Sequence, residues 1–159
     1  MEGVKRDSER SSLMKVGRRV DYAVRALSYL ASQPQGQIVG RAEIGRQQDI
    51  PSHYLSKIMK NLVARGFVQS HVGCKGGFTL ARPADSITIK EVYESVERPL
   101  SLMDCLEKGE SYCQYTCVCN QISVWQRAQN VLAGFLAGIS IGEIAVEWGL
   151  KDRLSRLRS

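Results

Sequence analysis

The feature that most limits how this chain can fold is a succession of helical patterns followed by a glycine-tipped hairpin pattern. Apolar residues recur at helical spacing from Val16 to Ala31, and a shorter helix is expected from Gly40 to Gln47. The segment 49–52, Asp-Ile-Pro-Ser, interrupts that pattern and begins a third helix. Segments 67–72 and 78–81 have the composition of strands, with glycines between them. Three helices and such a hairpin predict a mainly α fold with a small β-hairpin wing, the winged helix-turn-helix.

The second half of the chain predicts further helices around a cysteine-rich segment. Thr88 and Glu91 have the spacing of a capping box, and Ser140 and Glu143 repeat it before a short final helix. A long helix is expected from Gln121 to Gly138, and its wide apolar side either packs on the winged helix or pairs with a second copy; pairing is favoured. The expected organisation is a disordered extension 1–13, a winged-helix domain 14–98, a cysteine-rich loop 99–120, a dimerisation helix with a short terminal helix 121–150, and a basic tail 151–159.

Charge is distributed unevenly along the chain. The formal net charge is +6, with +5 in residues 41–90 and −5 in residues 91–150. A basic half joined to an acidic half favours a polyanion-binding module linked to a second role. No stretch approaches the ~20 apolar residues of a membrane span, and the charged N-terminal segment does not resemble a signal peptide. A cytoplasmic protein without membrane contact is therefore expected.

The third helix offers short polar side chains at its N-terminal end, where a recognition helix contacts base edges in the major groove. Helix capping is the alternative role for its serines. Lysines further along this helix and at the hairpin tip are placed for phosphates, which fix register without reading sequence. The candidate DNA-contacting residues are Ser52, His53, Tyr54, Ser56, Lys57, Lys60 and Lys75.

Four of the five cysteines, Cys105, Cys113, Cys117 and Cys119, fall within fifteen residues. Seven, three and one residues separate them, unlike the two-residue spacing of common zinc sites. Spacing alone favours an iron–sulfur cluster, then zinc, then thiol oxidation without metal. No catalytic or phosphate-binding motif accompanies them, so neither an enzyme nor a small-molecule substrate is expected.

Residues 14 to about 148 resemble the Fe–S-dependent winged-helix repressors, the family that includes IscR, NsrR and the rhizobial iron regulator RirA. The matching strings are VDYAVRALSYLA, IPSHYLSKIMKNLVARGFV and GCKGGFTLARPADSITIKEVYESVE. The thiol segment resembles the iron-regulator branch most closely, as Cys-x7-Cys-x5-Cys. The resemblance implies a homodimeric regulator, usually a repressor, that binds a palindromic operator in duplex DNA and senses iron, redox state or nitric oxide.

The same resemblance implies a ligand set. Cys105, Cys113 and Cys119 become the cluster ligands, while Cys117 has no counterpart in the family. Ile122 stands where a histidine ligand occurs in one branch, so a 4Fe–4S cluster is favoured over 2Fe–2S. Asp21 matches an aspartate ligand that another branch supplies from the partner subunit. A zinc-stabilised regulator without cluster sensing is the alternative function. In the wing, Val72 stands where the family usually has an arginine, and Cys74 is expected to be a turn residue.

Overall fold

The computed structural model describes residues 16–156, with side chains described for residues 16–149. The predicted extension 1–13 and the last three residues of the predicted tail lie outside the described residues. Seven α-helices and one two-stranded antiparallel sheet make up the described part, which confirms the predicted mainly α fold with a hairpin wing. The helices are α1 Arg18–Ala31, α2 Arg41–Gln48, α3 Ser52–Ala64, α4 Ile89–Val96, α5 Asp104–Lys108, α6 Ile122–Ala137 and α7 Ile141–Arg156, and the strands are β1 Val68–His71 and β2 Gly77–Leu80.

The helix-turn-helix is formed by α2 and α3 with a tight turn between them. Asp49 adopts a left-handed conformation (φ 50°), which ends α2, and Pro51 precedes the first residue of α3. Ile50 is buried in the turn, and its N–H donates to the Gly45 carbonyl at 2.9 Å. The break predicted from Asp49 to Ser52 is therefore confirmed.

The wing follows directly after α3. Val68 pairs with Leu80 and His71 with Gly77, and Val39 adds one bridge on the far edge of β2 through two hydrogen bonds with Phe78. A side chain at Gly77 would overlap the Val39 carbonyl, so only glycine allows this close approach. The bridge joins the wing to the segment between α1 and α2.

One apolar core lies under α1, and α2, α3, α4 and α7 all pack against that helix. Both predicted capping boxes are present: Glu91 and Thr88 exchange hydrogen bonds at the start of α4, and Glu143 and Ser140 do so at the start of α7. No helix in the described range combines the length and the hydropathy that crossing a bilayer requires.

The C-terminal helices differ from the expectation in one respect. The final helix is not short: α7 continues to Arg156, through most of the segment predicted to be a tail. α7 lies along α1, and the Trp148 ring meets the Tyr29 ring edge-on at 6.2 Å. The predicted loop 99–120 also contains the short helix α5 and two 3₁₀ turns, at Gly109–Ser111 and Thr116–Val118.

Candidate nucleic-acid interface and cysteine pocket

The structure places most of the predicted DNA-contacting residues of α3, the recognition or reading helix, on its outer side. Its apolar side is buried, with Leu55 and Leu62 no more than 1% exposed. Because α3 is anchored by that side, its polar residues project away from the core, as entry into a DNA groove requires. The exposed predicted contacts on α3 are Ser52, His53, Ser56, Lys57 and Lys60.

Tyr54 differs from the other predicted contacts because it is half-buried. Its ring packs edge-on against Tyr22 of α1 at 5.5 Å and beside the His53 ring at 4.4 Å. The aromatic ring therefore helps to hold the first turn of α3 on the core.

The Ser56 hydroxyl already has two partners. It donates to the Ser52 carbonyl at 2.9 Å and accepts from Arg41 Nη1 at 3.2 Å. Arg41 begins α2, so this contact links the two helices of the helix-turn-helix on the exposed side. Any base contact by Ser56 would have to share or replace these bonds.

Two arginines absent from the residues predicted above lie beside the reading helix. Arg41 and Arg46 of α2 line a cavity of about 410 Å³ together with Ser52, and both are exposed. In helix-turn-helix proteins the helix that precedes the recognition helix crosses the DNA backbone. Guanidinium groups on that helix can bind phosphate. In the sequence, the only sign of a role for Arg41 and Arg46 was that both lie on a short predicted helix. They become candidate phosphate contacts because the fold places α2 against α3.

The tip of the wing is exposed and partly basic. Lys75 is exposed there, where it can reach a phosphate, and Val72 is 99% exposed. Cys74 is exposed in the same turn and does not line the pocket of the other thiols, as expected for a turn residue.

The cysteine segment folds around a second cavity, of about 510 Å³. Cys105, Cys113 and Cys119 all line it, and all three are half-buried. Ile122 and Trp125, from the first turn of α6, form part of the wall. The three cysteines predicted as ligands are thus brought to one cavity from α5 and from the segments that follow the two 3₁₀ turns.

Cys117 has different surroundings. It is exposed, does not line the cavity, and its thiol donates a hydrogen bond to Glu110. That bond raises the pKa of the Cys117 thiol, because the neighbouring carboxylate favours the protonated form. A protonated, outward-facing thiol is a poor metal ligand, since the thiolate is the binding form.

The three cavity thiols are soft donors of the type that iron–sulfur clusters use. Among the described residues no group of three Cys, His, Asp or Glu side chains converges closely enough to hold one metal ion. In an iron–sulfur cluster each thiolate binds a different iron, so soft donors spread around one cavity suit that chemistry. Thiols as the donor type and a shared cavity are the two observations that support this fit.

Asp21 lies on α1 and does not line the cavity of its own chain. Its carboxylate accepts from Arg25 Nη2 at 2.6 Å, and Arg25 Nη1 also donates to the Gln48 carbonyl at the end of α2, at 2.8 Å. Any ligand role for Asp21 is therefore restricted to the cavity of a partner subunit.

Comparison with known proteins agrees with this architecture. The model of the Rrf2 family, described as an iron-dependent transcriptional regulator, matches residues 16–147. Protein aau3 of Rhizobium meliloti (strain 1021) is 31% identical over 132 residues, which cover 82% of this chain and 84% of that protein.

Two solved structures share the fold. The first is CymR, the global cysteine regulator of B. subtilis, with a TM-score of 0.68 at 21% identity, covering 85% of this chain and 98% of that one. The second is T. potens IscR, with a TM-score of 0.63 at 24% identity, covering 88% of each chain. The reading helix, the wing and the family match agree, and the chain therefore belongs to the Rrf2 family of DNA-binding transcriptional regulators, which are not enzymes.

Proposed function

We propose that this protein is a homodimeric transcriptional regulator whose DNA affinity depends on an iron–sulfur cluster, acting as a repressor that responds to iron availability, redox state or nitric oxide. One observation carries the proposal: Cys105, Cys113 and Cys119 line one cavity, while Cys117 faces away from it. The domain assignment follows from it, with residues 14–98 reading DNA, 99–120 sensing and the helix after Gln121 joining two subunits.

The ligand roles follow from position and chemistry. Cys105, Cys113 and Cys119 would hold a 4Fe–4S cluster by three thiolates, and Asp21 of the partner subunit is the candidate fourth ligand. A cluster with one non-thiolate position supplies a site that is sensitive to iron supply and to small oxidants. Ile122, on the cavity wall, offers only an apolar surface, which supports three thiolates rather than a histidine-containing set.

A continuous path of contacts joins the cysteine segment to the reading helix. The Leu102 N–H donates to Gln129 Oε1 of α6 at 3.0 Å, and α6 packs on α4. Arg65, the C-cap of α3, in turn donates to the Glu94 carbonyl of α4 at 3.2 Å. A rearrangement of the cysteine segment can therefore reach α3 through α6 and α4, and a coupling of ~1–3 kcal/mol is the usual size of such linkage.

The outer side of α6 supports the homodimer. Val124 is 58%, Val131 73% and Phe135 64% exposed, and with the exposed Ala128 they form a stripe at heptad-like spacing. Such a stripe is unfavourable in water and fits a second copy of the same helix. Two copies would present two reading helices about one DNA turn apart, which is why a palindromic operator is expected.

Anaerobic reconstitution with iron and sulfide tests the proposal directly. Wild-type protein is expected to become brown and to contain iron and acid-labile sulfide, whereas Cys113→Ala is expected to bind neither. Cys117→Ala and Cys74→Ala are the matched controls, because each removes a thiol outside the cavity, and both are expected to load like wild type. A colourless protein that carries zinc instead would refute the cluster and establish the zinc-stabilised alternative.

Operator binding supplies the second half of the test. The affinity of loaded and cluster-free dimer for the same duplex should differ by about 5- to 150-fold at fixed salt concentration. Equal affinities would leave the protein a DNA-binding regulator without cluster sensing.

A further inference from the structure

Trp125 lies in the first turn of α6 and lines the cysteine cavity. This residue is 37% exposed, whereas Val131 and Phe135 further along the same helix are 73% and 64% exposed. Trp125 is also the bulkiest side chain on the wall of that cavity. The same cavity is bordered by Tyr115 and Val118, which are 62% and 77% exposed and cover it poorly.

A hydrogen bond fixes the orientation of this ring. Trp125 Nε1 donates to Gln121 Oε1 at 3.0 Å, one helical turn earlier, and Gln121 lines the cavity as well. Gln121 stands at the N-cap position of α6 without making a side-chain capping bond, so its amide is available to the indole. The Trp125 indole is attached to the helix at one end and hydrogen-bonded to Gln121 through its N–H, so it has few alternative orientations.

We infer that Trp125, positioned by Gln121, is a shielding residue that keeps water and competing ligands away from the group bound by Cys105, Cys113 and Cys119; this inference rests on the proposed function. The physical reason is that apolar groups surrounding a metal site control solvent access to it and its exchange with solution. Removing the indole would open the cavity on the side of α6 while leaving all three thiols in place.

The chain contains two tryptophans, which allows the position of Trp125 to be tested by fluorescence. Trp148, on α7, is equally exposed at 37% but packs against Tyr29 of α1. Each of the variants Trp148→Phe and Trp125→Phe retains a single emitter. Loading with iron and sulfide should quench the emission of Trp148→Phe strongly and that of Trp125→Phe much less, because energy transfer to a visible-absorbing cluster falls steeply with distance.

The shielding role is tested by the rate at which loaded protein gives up its iron to EDTA without oxygen. Trp125→Ala is expected to release iron about tenfold faster than wild type, as is common when a supporting residue of a metal site is removed. Gln121→Met, which keeps the length of the side chain but not its acceptor, is expected to change the rate in the same direction by less. Trp148→Phe is the control and should release iron at the wild-type rate.

The outcomes separate the inference from the proposed function. If wild-type protein takes up no iron and sulfide, the proposed function fails and the inference fails with it. If wild type loads but Trp125→Ala releases iron no faster, or if the two single-tryptophan variants are quenched equally, only the shielding role is refuted. Equal urea unfolding midpoints of cluster-free wild type and Trp125→Ala would show that faster release does not reflect general destabilisation.

Discussion

Replacing Phe135 by alanine should break the proposed homodimer, and the size of the effect can be worked out from its exposure. The side chain is 64% exposed in the single chain. For a ring of ~200 Å², pairing removes ~130 Å² from water, which at ~25 cal/mol per Å² is worth ~3 kcal/mol. A two-fold interface uses the residue twice, and alanine keeps part of the area, so a loss of about 4 kcal/mol per dimer is expected, close to a thousandfold in Kd.

Sedimentation equilibrium over a range of protein concentrations measures this constant. Val72→Ala is the control, because Val72 is even more exposed but lies at the wing tip, far along the chain from α6. It should leave the dimer unchanged. An unaltered dissociation constant for Phe135→Ala would refute the assignment of this side of α6 to the interface, and a wild-type protein that stays monomeric at all concentrations would refute the dimer.

Three other predictions concern the core, the capping box and the DNA contacts. Leu27 is 0% exposed, so Leu27→Ala should lower the free energy of unfolding by about 2–5 kcal/mol in urea titrations followed by circular dichroism. Burial alone would raise the pKa of Glu91, but hydrogen bonds from Arg82 and Thr88 outweigh it and lower the pKa. The ionised carboxylate therefore stabilises the fold at pH values above its ordinary pKa of 4.5. This stabilisation is lost as the pH falls through the lower pKa of the folded state. Glu91→Gln should therefore flatten the acid side of the stability curve, with less than about 1 kcal/mol lost at pH 7 because the pair with Arg82 is partly exposed; an unchanged acid slope would contradict this. Lys60→Ala should weaken binding to all duplexes alike and reduce the salt slope by about 1, and a change confined to one operator sequence would show that Lys60 reads bases instead.

Local signals explain why much of the fold could be predicted. The turn from Asp49 to Ser52 and the two capping boxes depend on residues at most four positions apart, so their geometry is determined almost entirely by the nearby sequence. The wing is equally local, since a hairpin of two short strands joins neighbouring residues.

The length of α7 could not be predicted in this way. Residues after Leu150 are largely charged, a composition that suggests a solvated tail, yet the helix continues to Arg156. The helix as a whole packs along α1, which lies more than a hundred residues earlier in the sequence. Tertiary contacts of this kind override local propensity.

The candidate sites show the same division. The identity of the thiols, their spacing and the polar side of the reading helix are properties of the sequence, because donor chemistry and helical periodicity depend on residue type and order. Only the folded chain decides which thiols share a cavity, that Cys117 turns toward Glu110, that Tyr54 packs on Tyr22, and that Arg41 reaches Ser56. These are contacts between side chains whose directions are set by the packing of separate elements, and no local pattern contains that information.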